Sequence, residues 1–313
     1  MEYRQLGQTD LSVSVVGLGC WAIGGDVATW GPVDDNESVA AIQQGLDLGI
    51  NLIDTAPGYG YGHSEEIVGK AIAGRREQAV VATKCGLVWR DAGGPISRSL
   101  RPESIASECA ASLRRLHVET IDLYQIHWPD PQTPLSATME ALLRLRDQGK
   151  IRHIGVSNFS CEQMTESRQH APIASLQPEL SMFEQSVKEE LLPYCREYRI
   201  GVITYGSLAR GLLTGKFTST STFTDLRARD SRFMGGAFGR NLAIIERLRP
   251  IAQRLGCTMG QLALRWAVQQ EGVTAVISGV KRPSQVIENA GAGRLLVPVE
   301  VMDEIDGILA ERE

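Results

Sequence analysis

Apolar residues in this chain come in two rhythms, dense short bursts and longer stretches at helical spacing, and the two alternate almost to the end. A short amphipathic pair opens the chain at 3–6 and 11–13, across a turn at 7–10. From there strands are predicted at 15–19, 51–55, 79–84, 121–127, 151–156, 175–177, 201–205 and 275–278. Helices are predicted at 37–48, 65–73, 102–116, 135–148, 188–198 and 283–290. Another follows Ser160, which forms a capping box with Gln163. In the helix at 102–116, Ile105, Cys109, Leu113 and Leu116 share one face, and Pro102 suits the first turn. A long Gly-, Ser- and Thr-rich stretch follows the seventh strand to about 239. Beyond it come a helix at 241–255, one capped by Thr258 with Gln261, and a closing helix at 299–310.

Eight strands, each followed by a helix and joined without a Pro-, Ser- or charge-rich linker, predict one α/β domain over 1–313. The expected fold is a (β/α)8 TIM barrel with an N-terminal β-hairpin and extra C-terminal helices. The barrel itself needs ~250 residues. A doubly wound open sheet is the rival, and Gly17-Leu18-Gly19-Cys20-Trp21-Ala22 does match G-x-G-x-x-A. In a dinucleotide fingerprint, however, the helix begins inside the motif so that its N-terminus meets the pyrophosphate. Here 21–35 reads as a loop with Gly24, Gly25 and Pro32, and the helix starts only near Glu37. The barrel is the better reading.

Composition narrows the class further. The 313 residues are 43% hydrophobic and 22% charged, enough for a sizeable core. A net charge of −5 with no basic block leaves no electrostatic footprint for nucleic acid. No apolar run reaches the ~18 residues of a membrane span, and the opening MEYRQLGQTD is too polar for a signal peptide. The expectation is a cytoplasmic protein with no membrane partner. Cys20, Cys85, Cys109, Cys161, Cys195 and Cys257 form no C-x-x-C pair, so free thiols and no structural metal are expected.

In a barrel the chemistry gathers at the C-terminal ends of the strands. Asp54 ends the second strand with Tyr59 five residues on, Lys84 ends the third, and His127 and Trp128 end the fourth. Taken singly, Asp54 also suits a turn cap before Pro57, Tyr59 a solvent-facing loop aromatic, and His127 an ordinary loop histidine. Lys84 is harder to dismiss. It ends the apolar run Val80-Val81-Ala82-Thr83, and a buried ammonium without a partner is costly. Asp54, on the adjacent strand, is the partner this predicts. An ammonium beside Tyr59 is expected to lower a phenol pKa that starts near ~10, letting the phenol donate a proton while an imidazole orients a carbonyl. That is apparatus for protonating an oxyanion as hydride arrives.

Several motifs now fall together. They are Asn51-Leu52-Ile53-Asp54-Thr55-Ala56 with Tyr59, Gly62-His63-Ser64-Glu65, Ala82-Thr83-Lys84 and Ile121-Asp122-Leu123-Tyr124-Gln125-Ile126-His127. Gly155-Val156-Ser157-Asn158-Phe159 and Gly211-Leu212-Leu213-Thr214-Gly215-Lys216 complete the set. With them the chain resembles the aldo-keto reductases over essentially its whole length, and most nearly their bacterial and potassium-channel β-subunit-like branches. The resemblance implies NADPH-dependent, reversible reduction of an aldehyde or ketone. Tyr59 is then the general acid/base, Lys84 and Asp54 tune it, and His127 orients the carbonyl.

The resemblance also implies NADP(H) extended across the mouth. Trp21, Asp54, Ser157, Asn158 and Gln177 would flank the nicotinamide, and Tyr205 would stack on it. Gly206, Ser207, Leu208, Arg210, Gly211 and Lys216 would hold the pyrophosphate, with Arg227 folding over it in competition with Arg229 and Arg232. Gly279, Lys281, Arg282, Gln285, Glu288 and Asn289 would take the adenosine end. Gln285 and Gly279 stand where the steroid-reductase branch has arginine and lysine, so the 2′-phosphate falls to Lys281 or Arg282. Ser207 stands where relatives often have proline. The substrate pocket is expected from Trp21, Trp30, Tyr59, Trp89, His127 and Trp128, around a small carbonyl or alcohol that the sequence does not specify. Two other readings remain: a barrel lyase with Lys84 as a Schiff-base lysine, and a slow-turnover module that senses bound cofactor. The oligomeric expectation is a monomer or weak homo-oligomer.

Overall fold

The computed structural model describes residues 1–25 and 29–311. The opening pair is an antiparallel hairpin, β1 (Tyr3–Gln5) and β2 (Ser12–Ser14). The first barrel strands are β3 (Val16–Gly19), β4 (Leu52–Asp54) and β5 (Val80–Cys85). A second hairpin, β6 (Leu87–Val88) and β7 (Ser97–Arg98), then stands outside the barrel. Barrel strands resume with β8 (Ile121–Ile126), β9 (Ile151–Ser157), β10 (Ser175–Gln177), β11 (Gly201–Thr204) and β12 (Ala275–Gly279). The eight are parallel and close in chain order, β9 pairing with β10 and β12 returning to β3.

Around them run α1 (Asp35–Asp47), α2 (His63–Ala71), α3 (Pro102–Leu116), α4 (Leu135–Asp147) and α5 (Cys161–Arg168). They are followed by α6 (Leu191–Glu197), α7 (Gly235–Arg254), α8 (Met259–Val268), α9 (Pro283–Ala290) and α10 (Val299–Ala310). Both capping boxes read from the sequence are formed, Ser160 with Gln163 and Thr258 with Gln261. The glycine motif after β3 leads only into one 3-10 turn, Trp21–Gly24, and α1 begins at Asp35 behind an Asp34 cap. A dinucleotide fingerprint is therefore absent from this position.

Three elements depart from expectation. The β6–β7 hairpin was invisible because two exposed or half-exposed residues per strand carry no period. The helix expected from 241 begins at Gly235. Burial of Phe238 and Asn241 overrides the poor propensity of Gly235, Gly236 and Gly239. The helix expected at 188–198 is divided into a 3-10 turn, Ser186–Lys188, and the shorter α6.

Period-2 alternation builds the barrel in layers. Leu52, Ala82, Leu123, Ile203, Ala275 and Ile277 face inward and meet Leu6, Leu11 and Val13, so the hairpin plugs the bottom with apolar side chains. Their neighbours Ile53, Val81, Tyr124 and Val276 face outward into the helix layer. The next inward positions, two residues on, are Asp54, Lys84, Gln125 and Tyr205. The polar layer thus rests on a dry floor. Outside the barrel, the buried carboxylate of Glu65 on α2 accepts from Thr83 at 2.6 Å and from Arg115 of α3 at 2.7 Å, tying both helices to β5.

The loop after β4, which carries Tyr59, lies against the 3-10 turn after β3 with backbone touching backbone. A Cβ on Gly60 (φ 64°) would stand 2.0 Å from the carbonyl oxygen of Gly24, and one on Gly24 would stand 2.7 Å from the carbonyl carbon of Tyr59. Neither loop can yield without moving Tyr59. Gly60→Ala is expected to lower the unfolding free energy by ~2–5 kcal/mol, the left-handed cost plus that of the clash. Gly74→Ala, at the same backbone sign but in open space, should lose only the ~1–2 kcal/mol of a left-handed alanine. Urea denaturation of the two variants measures the difference.

Candidate active site

At the mouth, the Lys84 ammonium donates to Asp54 Oδ1 at 2.6 Å, to the Thr55 carbonyl at 3.0 Å and to the Tyr59 hydroxyl at 3.3 Å. Asp54 Oδ2 accepts from the side-chain amides of Gln177 at 2.7 Å and Gln125 at 3.1 Å. Register brings them together: Lys84 lies level with Gln125, and Ser157 with Gln177. Both charges are buried, and each is satisfied by several groups. Removing one partner of such a pair typically costs ~3–5 kcal/mol.

Burial works against the charged form of Lys84, but Asp54 and Tyr59 outweigh it and hold its pKa above the usual lysine value. For Tyr59, burial of the hydroxyl end is the largest influence and raises the pKa; the Lys84 charge opposes it without reversing it. The expected net lowering is therefore corrected. Enclosure wins, and the phenol holds its proton at neutral pH. His127 is pushed well below the ordinary histidine range, by burial first and then by the Lys84 charge. Its imidazole is neutral, and its Nδ1 is buried without a hydrogen-bond partner among the described residues.

The rings continue outward. Tyr59 meets His127 edge-on at 5.7 Å and Trp21 at 6.2 Å, and Trp21 meets Trp30 edge-on at 5.4 Å. The other two expected pocket tryptophans make their ring contacts elsewhere. Trp89 packs edge-on against Tyr61 at 5.5 Å, and Trp128 lies under the Arg98 guanidinium at 5.1 Å.

A second network leads toward β11. Asn158, left-handed at φ 61°, donates to the His127 carbonyl at 3.1 Å and accepts from the Tyr205 hydroxyl at 2.9 Å. Ser157 donates to the Gln177 carbonyl at 2.8 Å. After β11 the backbone turns left-handed repeatedly, at Gly206 (φ 72°), Ala209 (46°), Arg210 (55°) and Gly211 (88°). Such conformations are strained for residues other than glycine, and mixed helical and left-handed backbone curls N–H groups into an anion-cupping concavity. Ser207 turns its buried hydroxyl inward to Thr204, 3.2 Å away, and Leu208 packs against the core.

Charges over this stretch sort the three loop arginines. Arg210 pairs with Asp230 at 3.0 Å, and Arg232 bridges Asp230 at 2.7 Å and Glu179 at 2.8 Å. Arg229 is exposed. Arg227, held by Asp225, places its guanidinium 5.8 Å from the Trp30 ring and 5.4 Å from Phe217 and Phe223. Lys216 forms no ion pair among the described residues, and Lys281 donates to the Trp30 carbonyl at 2.5 Å. Partial burial and then the Arg227 charge pull the pKa of both lysines down. Lys216, Arg227 and Lys281 thus crowd one rim. Arg282 pairs with Glu37 at 3.2 Å, and Gly279 faces open space. Gln285 spends its side-chain oxygen on the backbone N–H groups of Lys281 (2.7 Å) and Arg282 (3.2 Å), as the cap of α9. Asn289 is buried, and the Glu288 carbonyl accepts from Gln261 at 2.8 Å.

Sequence reasoning missed Gln125 as a holder of Asp54. Its signal was present: a polar residue inside an apolar strand, two before His127 and so on the same inward face.

A family model for the aldo/keto reductase family matches residues 15–310. An aldo-keto reductase of Bacillus subtilis is 45% identical over 91% of this chain and 87% of its own length. The chain belongs to the aldo/keto reductase family. Another relative, the NADH-specific methylglyoxal reductase of Escherichia coli, is 40% identical over 93% of each chain. The solved glycerol dehydrogenase of Gluconobacter oxydans superposes with a TM-score of 0.93 at 43% identity, covering 99% of this chain and 95% of that one. An aldo/keto reductase from Klebsiella pneumoniae, solved with NADP and acetate, gives a TM-score of 0.74 at 29% identity over 95% of this chain and 92% of that one.

Behind the reductase site, Glu108 of α3 accepts from the Gly86 N–H at 2.9 Å and the Ser104 hydroxyl at 3.0 Å, bracing the end of β5 just past Lys84. Burial raises its carboxyl pKa to about 7. The folded value exceeds the unfolded one, near ~4.3, so the associated stability is complete below that and lost as pH rises through about 7. Glu108→Gln should therefore melt like the parent at or below pH ~4, gain on it progressively as pH rises toward about 7, and keep a constant lead above that. Thermal melts across that range provide the check.

Proposed function

We propose that this protein reduces a small aldehyde or ketone to the alcohol, reversibly, using a nicotinamide dinucleotide. The observation that carries the reading is the Tyr59 hydroxyl, 3.3 Å from the Lys84 ammonium and edge-on to the His127 ring at the barrel mouth. The residues present fit a dinucleotide. The left-handed stretch at 206–211 is shaped to cup a pyrophosphate, and Lys216, Arg227 and Lys281 supply positive charge beside it.

When bound, the nicotinamide supplies the hydride. Tyr59 donates its proton to the carbonyl oxygen, and the phenolate left behind is stabilised by the Lys84 ammonium. Asp54, fixed by Gln125 and Gln177, keeps that ammonium charged and aimed. His127, being neutral, can hydrogen-bond the carbonyl oxygen without competing for its proton. Asn158 holds both the His127 backbone and the Tyr205 hydroxyl, so it spaces the substrate side from the ring expected to stack on the nicotinamide. Trp21 and Trp30 form the apolar wall. The same ion pair tells against a Schiff-base lyase, since a lysine nucleophile must be neutral and Lys84 is held charged.

Tyr59→Phe should retain nucleotide binding and lower kcat by ~10²–10⁴-fold. Lys84→Met should be comparably damaging, and the double variant should lose far less than the product of the two. Steady-state NADPH oxidation with a panel of aldehydes and ketones measures all three. Unimpaired turnover by Tyr59→Phe removes the phenol from the mechanism.

The proposed preference is for NADPH over NADH, because Lys281 and the largely exposed Arg282 follow β12, and charge-assisted bonds to a 2′-phosphate are strong. Tryptophan-quenching titrations should give a lower Kd for NADPH. Lys281→Glu with Arg282→Glu should narrow the gap. Equal affinities in the unmodified protein overturn this preference.

A further inference from the structure

At the opposite end of the barrel, a cavity of about 410 Å³ opens between the β1–β2 turn, the start of β9 and the C-terminal ends of α4, α5 and α6. Arg146, Arg152, His153, Arg168 and Arg199 line it, and no Asp or Glu does. Two of these groups are already engaged. Arg152 and His153 share Asp10, at 2.6 Å and 2.7 Å, and the two hydrogen bonds hold that carboxyl down at about 2. Arg168 and Arg199 form no ion pair among the described residues. The Arg168 guanidinium lies over the Tyr198 ring at 3.8 Å and donates one N–H to the Tyr194 hydroxyl at 3.4 Å, which fixes its plane and leaves its other N–H groups for a ligand. Arg199 is set by a left-handed backbone, φ 54°, two residues before the start of β11. Among the described residues Arg146 pairs with its neighbour Asp147, at 3.5 Å.

Helix dipoles account for part of this. Arg146 and Arg168 sit in the last turns of α4 and α5, where a cation answers the negative end. That does not explain why they converge with Arg152 and Arg199, which belong to no helix, on one concave space. The cavity is larger than a single phosphate needs and falls within the ~300–1,000 Å³ of small-molecule sites. Planar guanidiniums without carboxylate partners match phosphate oxygens best. We propose that this cavity binds a small metabolite carrying two or more phosphate charges, held by Arg146, Arg168 and Arg199. The proposal does not rest on the nicotinamide reading of the mouth, and either can fail alone.

The test is calorimetric titration of the full chain with inorganic pyrophosphate at fixed ionic strength. Two double variants separate the ends of the barrel. Arg168→Gln with Arg199→Asn alters exposed side chains at the base, asparagine being suited to a left-handed φ. Lys216→Gln with Lys281→Gln removes charge at the mouth. The expected result is a site weakened at least tenfold in the base variant and unchanged in the mouth variant. Matching melts with and without pyrophosphate should show the ligand-induced rise in Tm lost only from the base variant. Arg199→Asn alone should weaken the site by a smaller factor, which keeps the test decisive if the double variant folds poorly. Failure of the unmodified chain to bind, binding lost only from the mouth variant, or equal displacement by sulfate at matched ionic strength overturns the proposal.

Discussion

Everything at the barrel mouth depends on keeping one ammonium and one carboxylate out of water. Lys84 and Asp54 are among the most deeply buried polar residues of the molecule, and neither has an escape to solvent. Two opposite charges in such a place are tolerable only if every remaining proton and lone pair is answered. The Thr55 carbonyl, Tyr59, Gln125 and Gln177 answer them. The pair therefore dictates inward polar residues on β4, β5, β8 and β10 at one level. It also suits the apolar layer beneath, where leucine, isoleucine and alanine side chains fill the barrel below the pair.

The same burial governs the two groups expected to do chemistry, with opposite effects on their usefulness. Tyr59 is raised and His127 is lowered, and in both cases the uncharged form is the one favoured. A mouth with one fixed cation and two neutral hydrogen-bonding groups suits a reaction in which negative charge appears on an oxygen and is then quenched. In the proposed reaction the ammonium would stabilise what forms, the phenol would supply the proton, and the imidazole would align the oxygen. In a low-dielectric site that single charge counts for more than it would in water.

Much of this was legible in the sequence because barrel chemistry lies at strand ends and strands have period 2. Asp54, Lys84 and His127 could be read from apolar runs terminating in a polar residue, and Tyr59 from the loop that follows. Side-chain partnerships were less visible. Gln285 looked free to meet a nucleotide but caps its own helix, and Ser207 points inward toward Thr204 rather than out of the loop. The direction of the Tyr59 shift could not be read, because it is a contest between a neighbouring charge and the degree of enclosure, and only the folded packing sets the second. The β6–β7 hairpin was missed because its register is held by two residue pairs with exposed side chains, too little pattern to register as period.

Parallel strands also impose a polarity that no single residue chooses. Every crossover helix runs antiparallel to its strands, so helix N-termini gather at the mouth and C-termini at the base. The mouth then starts with a positive bias from backbone N–H groups, to which Lys216, Arg227 and Lys281 add. The base starts with a negative bias, which arginines in the last turns of α4 and α5 offset. Asp122 shows how the base is normally settled: buried, it takes Arg76 at 2.6 Å, Arg152 at 2.7 Å and the Val81 N–H at 2.9 Å, and Asp10 takes Arg152 as well, so two carboxylates answer two guanidiniums. Against that neutralised background the guanidiniums of Arg168 and Arg199, which form no ion pair among the described residues, meet in one concave space. Backbone dipoles fix the sign each end begins with, but it is side-chain pairing, complete around Asp122 and incomplete around the basal cavity, that decides where an anion can be held.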